Sequence, residues 1–159
     1  MKLSHEQDAA LKAVDAWLKA PRAPQFFYLA GYAGTGKTTI ARHFAEHVKG
    51  KVMFGAFTGK AAMVMRSKGC EGATTIHRMI YRVETTDGVT RFRLNHDSEV
   101  KDAALVILDE VSMVGRELAV DLLSFGTRVL VLGDPAQLPP VKGQAHFTAG
   151  DPDAMLTEI

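Results

Sequence analysis

The sequence predicts an α/β fold, a parallel sheet flanked by helices with a small β-hairpin inserted. Three observations carry this. Strand-sized apolar runs alternate with stretches whose apolar residues recur three and four apart, the helical period. The run from Ala103 to Leu108 is continuously apolar, as expected of a central parallel strand covered on both faces. Polar, glycine-containing motifs follow the apolar runs directly, at the carboxyl ends of strands, where open parallel sheets bind their ligands.

Ser4 is placed to cap a first helix, with Gln7 closing a capping box, and Leu11, Val14, Trp17 and Leu18 form its apolar stripe until Pro21 and Pro24 stop it. Gln25 to Ala30 is the first strand. Ile40, Phe44 and Val48 mark the next helix, ended by Gly50. Lys51 to Phe57 is a second strand, and Gly59 to Lys68 a short helix with Ala61, Ala62 and Met65 inward, closed by Gly69. Thr74 and Thr75 can cap another short helix through Ile80. Residues 81–95 then change character: Tyr81–Glu84 and Val89–Leu94 flank Thr85-Thr86-Asp87-Gly88, which predicts an inserted hairpin turning at Asp-Gly. After the strand that ends at Asp109-Glu110, Leu118, Leu122 and Leu123 mark a helix stopped by Gly126. Arg128 to Leu132 is a further buried strand, and the prolines of Gly133 to Pro140 forbid regular structure.

Composition bounds what this can be. The chain has 159 residues, 47% hydrophobic and 23% charged, about one domain's worth of an ordinary globular protein. No apolar run approaches the roughly 18 residues of a membrane span, and Met1-Lys2-Leu3-Ser4 opens no signal peptide, so a cytoplasmic protein is expected. One cysteine, Cys70, excludes an intrachain disulfide and fits a reducing compartment. With a net charge of +1, any contact with nucleic acid must come from local placement of Lys and Arg. No Cys/His spacing suggests zinc.

Gly31-Tyr32-Ala33-Gly34-Thr35-Gly36-Lys37-Thr38, between a buried strand and a helix, matches the phosphate-binding P-loop pattern in full. Its glycines let successive N–H groups converge on one concavity, and the helix that follows adds its free N–H groups and positive dipole end. Lys37 would reach the β- and γ-phosphates, and the Thr38 hydroxyl would ligate Mg²⁺. Asp109 stands where a carboxylate supporting that Mg²⁺ belongs. Glu110 beside it could position and deprotonate a water, as hydrolysis requires and a kinase does not. Gln137, on a Pro-flanked loop, can donate and accept, which suits a γ-phosphate sensor. Gln7 could hold an adenine edge or merely cap its helix. Thr58 and Lys60, with Thr75, His77 and Arg78, offer hydroxyls, cations and helix N–H groups to the phosphates of a single strand. The hairpin's Arg82, Arg91 and Arg93, with Tyr81 and Phe92, could touch or split a duplex, or be a plain solvated surface.

Together, Gln7, Gly31 to Thr39, Ala56-Phe57-Thr58-Gly59-Lys60-Ala61-Ala62, Thr75-Ile76-His77, Asp109-Glu110-Val111-Ser112-Met113 and Gly133 to Pro140 resemble the ordered motifs of RecD-like superfamily 1 DNA helicases. The resemblance covers nearly the whole chain. It implies a RecA-like, AAA-type motor domain over residues 1–159 that binds ATP and Mg²⁺ and moves 5′ to 3′ on single-stranded DNA. It implies Gln7 on adenine, Gly31 to Thr39 around the nucleotide, Gln137 at the γ-phosphate and the hairpin as a strand-separating wedge.

Phe57 departs from the Pro that relatives commonly carry. Leu156-Thr157-Glu158-Ile159 resembles the opening of a further motif whose arginine stabilises transition-state charge. A second motor domain is therefore expected to be missing, leaving the fragment nearly inactive. A recombination or nuclease complex is a further implied partner. Two other classes stay open, a P-loop kinase or phosphotransferase and an NTP-binding switch without turnover.

Overall fold

The computed structural model describes residues 2–136 and 146–158. Six parallel strands form the sheet: β1 Phe26–Gly31, β2 Val52–Ala56, β3 Thr74–Thr75, β6 Leu105–Asp109, β7 Val129–Gly133 and β8 Ala154–Leu156, in the order β3-β2-β6-β7-β1-β8. A separate antiparallel pair, β4 Tyr81–Thr86 and β5 Val89–Leu94, is the hairpin. The helices are α1 His5–Lys19, α2 Lys37–Ala45, α3 Gly59–Ser67, α4 Ile76–Ile80 and α5 Arg116–Leu123.

The central strands are apolar along most of their length because both faces are covered. Phe27 and Leu29, Leu105 and Ile107, and Leu130 and Leu132 pack into one core with Val14 and Trp17 of α1, Ile40 and Phe44 of α2, and Met65 of α3. The alternate residues, Tyr28 and Ala30, Val106 and Leu108, and Val129 and Val131, face a second core with Ile76 and Ile80 of α4 and Leu118 and Leu122 of α5. Period-two alternation thus feeds two hydrophobic layers instead of one wet and one dry face.

Local chemistry sets the ends of the elements. The Ser4 hydroxyl accepts from the Gln7 N–H at 3.1 Å while Gln7 Oε1 accepts from the Ser4 N–H at 3.0 Å, the reciprocal box the spacing predicts. The guanidinium of Arg128 donates to the carbonyls of Trp17 and Ala20, closing the other end of α1, and lies 5.5 Å from the Trp17 ring. The hairpin turns at Asp87 (φ 53°) and Gly88 (φ 76°), both left-handed as a two-residue type I′ turn requires. Its base is closed by Asn95 N–H donating to Ile80 O at 2.7 Å.

Two features differ from the sequence reading. α2 ends at Ala45 rather than near Gly50, because the chain tightens into i to i+3 hydrogen bonds at His47 and Val48 as it turns toward β2; Val48 still packs on the core. β8 has no counterpart in the sequence reading. It is a three-residue edge strand pairing Leu29 with Ala154, Ala30 with Met155 and Gly31 with Leu156, too short for any period to show.

Leu130 lies at the sheet's centre, 1% exposed, with β6 and β1 on either side. Leu130→Ala is expected to lower the unfolding free energy by about 2–5 kcal/mol, read from the urea midpoint, whereas Val83→Ala on the open hairpin stays within about 0.5 kcal/mol.

Candidate nucleotide site and nucleic-acid edge

The loop between β1 and α2 is built from backbone that only its sequence permits. Gly34 (φ 84°) and Gly36 (φ 80°) are left-handed, curling the chain so that α2 starts at Lys37 with its first N–H groups directed into the concavity. Thr35, 2% exposed, donates its hydroxyl to Tyr32 O at 2.8 Å and pins the curl from inside. A Cβ on Gly31 would stand 2.6 Å from that hydroxyl and 3.4 Å from the Lys37 side chain, so the first glycine is fixed by space rather than by φ. Tyr32, Ala33 and Thr39 are exposed on the loop's outer side. The result is a glycine-curled cradle bordered by the start of α2 and the Lys37 side chain.

Asp109 completes it from across the sheet. The Thr38 hydroxyl donates to Asp109 Oδ2 at 2.9 Å, and the Glu110 N–H folds back onto Asp109 Oδ1 at 2.8 Å. Glu110 is exposed and holds φ 55°, ψ 50°, a left-handed conformation uncommon for a side chain of its size. That turn swings the second carboxylate out of the strand line. Gly133 ends β7, which lies between β6 and β1, and Asp134 after it accepts from the Ala136 N–H at 2.9 Å. Gln137 lies outside the described residues.

Gln7 caps its helix and also reaches the loop after β1. Besides closing the capping box, its Nε2 donates to Thr35 O at 3.2 Å, so the amide rests on the P-loop itself. The preceding Glu6, which the sequence reading passed over, accepts from the Thr157 N–H at 2.6 Å, the Thr157 hydroxyl at 2.7 Å and the Glu158 N–H at 3.0 Å. These donors, the Glu158 N–H foremost, hold its carboxyl below the usual range. The only local signal was an acid in a first helical turn, because its partners stand about 150 residues away.

The candidate nucleic-acid residues gather at the far side of the sheet. Thr58 caps α3 by accepting from the Ala61 N–H, and Thr75 caps α4 by accepting from the Arg78 N–H, each at 3.1 Å. Lys60, His77 and Arg78 are exposed. The ring of His77 lies between those of Phe57, at 6.0 Å, and Tyr81, at 5.8 Å, linking the second strand's end to the hairpin's first residue. Tyr81 in turn donates its hydroxyl to Asp121 of α5, a partner the sequence did not suggest. Burial first, and then that hydrogen bond, push the Tyr81 phenol far above its ordinary range. On the hairpin, Glu84 is paired with Arg82 and Arg93, while Val83 and Phe92 face each other on the opposite side, 60% and 69% exposed.

Residues 2–159 match the family model described as an AAA domain (AAA_30). The chain belongs to this AAA domain family. Over 140 residues it is 40% identical to the ATP-dependent RecD2 DNA helicase of Deinococcus radiodurans, a match covering 82% of this chain and 19% of that protein. It is 32% identical over 160 residues to the ATP-dependent DNA helicase Pif1 of Bdellovibrio bacteriovorus, covering 89% of this chain and 34% of the relative. Among solved structures, Bacteroides sp Pif1 in complex with ADP-AlF4 superposes with a TM-score of 0.66 at 23% identity, over 100% of this chain and 43% of that one. The AAA domain described here therefore spans about a fifth and a third of the length of these two curated relatives. Its fold is shared with that Pif1 structure: a six-stranded parallel sheet flanked by helices, with a separate two-stranded hairpin.

Two outcomes check this geometry. Gly31→Ala should cost about 1–3 kcal/mol in chemical denaturation, as a methyl forced against buried Thr35, while Gly59→Ala, with nothing within 4 Å, costs nothing measurable. Because the Tyr81 pKa is raised on folding, its contribution is complete below pH 10 and is lost as pH rises beyond that value. The stability difference between the wild type and Tyr81→Phe should therefore shrink on going from pH 8 to pH 11.

Proposed function

We propose that this AAA domain is the nucleotide-gripping lobe of an ATP-dependent DNA helicase that hydrolyses ATP to move 5′ to 3′ along single-stranded DNA and separate a duplex. The observation that carries the reading is the meeting of Thr38, Asp109 and Glu110 at one sheet edge, joined by hydrogen bonds of 2.9 and 2.8 Å beside the glycine-rich loop. A phosphate-binding loop alone serves many chemistries. A second, outward-turned carboxylate beside the metal-side aspartate suits activation of water.

In this reading the P-loop amides and Lys37 bind the triphosphate, and Glu110 orients a water and takes its proton. Thr38 and Asp109 present the oxygen donors a hard cation prefers, so they would hold Mg²⁺, which would neutralise phosphate charge when bound. Gln7 keeps one N–H and one acceptor lone pair after serving Ser4 and Thr35, the complementary pair an adenine edge needs. Capping and base recognition are therefore compatible in one side chain. Gln137 is assigned to the γ-phosphate from its place in the sequence. Thr58, Lys60, Thr75, His77 and Arg78 take the phosphates of the single strand, and the hairpin meets the junction.

Efficient turnover requires a second lobe carrying an arginine finger, a group worth about 10³–10⁵ in rate. Residues 1–159 alone are thus expected to bind ATP, hydrolyse it slowly and unwind nothing. A protein containing both lobes should show DNA-stimulated ATPase. In it, Lys37→Ala should abolish nucleotide binding, and Glu110→Gln should retain binding while lowering turnover by about 10²–10⁴. Unchanged turnover in either variant would refute the site, and stimulation by a small acceptor but not by DNA would favour a phosphotransferase.

A further inference from the structure

The phosphate loop begins beside an edge of the sheet that is secured from outside. β8 is the last strand on its side and pairs with β1 over three residues, ending with Leu156 opposite Gly31. Leu156 is fully buried, and its Cβ lies 3.3 Å from where a side chain on Gly31 would begin. Its carbonyl accepts from the Tyr32 N–H at 3.4 Å. The Tyr32 carbonyl in turn accepts from the Thr35 hydroxyl at 2.8 Å and the Thr35 N–H at 3.2 Å. The first turn of the loop is therefore shaped between Leu156 on one side and Thr35 on the other.

A three-residue edge strand is prone to fray, and two carboxylates hold the ends of this one. Asp153 accepts from the Tyr28 N–H at 2.8 Å at its amino end. Past its carboxyl end, Glu6 of α1 uses both oxygens to accept from the Thr157 N–H, the Thr157 hydroxyl and the Glu158 N–H at 2.6–3.0 Å. Hydrogen bonds to a charged acceptor are the stronger kind. Without them the long Tyr32–Leu156 bond is the first to open. We propose that Glu6 is a positioning residue for the triphosphate loop: by clasping Thr157 and Glu158 it keeps the Leu156 carbonyl on the Tyr32 N–H, and so holds the loop in its curl before a ligand arrives. The proposal rests on the nucleotide reading above. Such preorganisation raises affinity by reducing what must be ordered on binding. Coupling between two sites is reciprocal, so phosphate in the loop must also tighten the clasp.

The test uses the 159-residue chain and inorganic tripolyphosphate with Mg²⁺, which reads the loop without a base. Calorimetry gives the affinity, and amide hydrogen exchange followed by NMR reads the clasp. Glu6→Gln keeps the size of the side chain and should weaken tripolyphosphate about fivefold, the scale of one lost hydrogen bond. The sign is diagnostic. Removing an anion near the site of a polyanion strengthens binding if charge alone matters, whereas loss of the clasp weakens it. In the wild type, saturating tripolyphosphate should slow exchange of the Tyr32, Thr157 and Glu158 amides by about fivefold, the same coupling seen from its other end. In Glu6→Gln the Thr157 and Glu158 amides should exchange faster and no longer respond to the ligand. Thr157→Val, which deletes only the hydroxyl bond, should move affinity in the same direction by less, and it carries the test should Glu6→Gln fold poorly.

Tripolyphosphate binding by Glu6→Gln that matches or exceeds the wild type overturns the proposal. So do wild-type Thr157 and Glu158 amides indifferent to tripolyphosphate, since a clasp that only stabilises the fold has no means of sensing the ligand. Lys37→Ala separates the two levels of the reading. It must lose tripolyphosphate while exchange at Thr157 and Glu158 in the free protein stays as in the wild type. Retention of tripolyphosphate by Lys37→Ala would defeat the nucleotide site itself, and the positioning role with it.

Discussion

The hydrogen bond from Thr38 to Asp109 is the contact on which the functional edge depends, and it exists only because of strand order. β1 and β6 are not neighbours; β7 lies between them, so the P-loop helix must reach over the end of a third strand to meet the aspartate. Parallel pairing brings all three strand ends to one edge, with Ala30 opposite Gly133 and Leu108 opposite Val131. Had either neighbour run antiparallel, its loop would open at the other edge and the aspartate would face empty solvent. The buried apolar strands are thus the means by which polar residues about 70 positions apart become one site.

The molecule divides its stability unevenly around that edge. The sheet is covered on both faces by apolar layers, and left-handed backbone lies at its rim in Gly34 and Gly36 of the loop and in Glu110 beside the aspartate. A rigid support holds a few strained residues in place, which is the arrangement a preorganised anion site needs. The hairpin stands apart from this scheme. It shares no ladder with the main sheet, shows solvent Val83 and Phe92, and is moored at its base through the His77 stack and the Tyr81–Asp121 hydrogen bond.

Legibility in the sequence followed the range of the interaction. The Ser4–Gln7 box, the I′ turn at Asp87-Gly88 and the P-loop were readable because each is decided within a few residues by backbone geometry. The sheet was readable because a strand buried on both faces is apolar at every position. β8 was not, since three residues carry no period and its pairing with β1 is decided by the register of a distant chain. Glu6 and Asp121 were invisible for the same reason: an acid in a helix gives no local sign that its partner lies 151 or 40 residues away.

The sequence by itself determined the fold class, the glycine-rich loop after β1 and the acids that end β6, because glycine spacing, apolar runs and strand-end carboxylates obey short-range steric and solvation rules. Only the tertiary structure decided that Gln7 serves its helix cap and the P-loop at once, that the chain after β8 is clasped beside it, and that aromatic rings join the second strand's end to the hairpin. Those contacts depend on how separately formed elements dock. Docking is set by the packing of two whole hydrophobic layers, which no local stretch of sequence encodes.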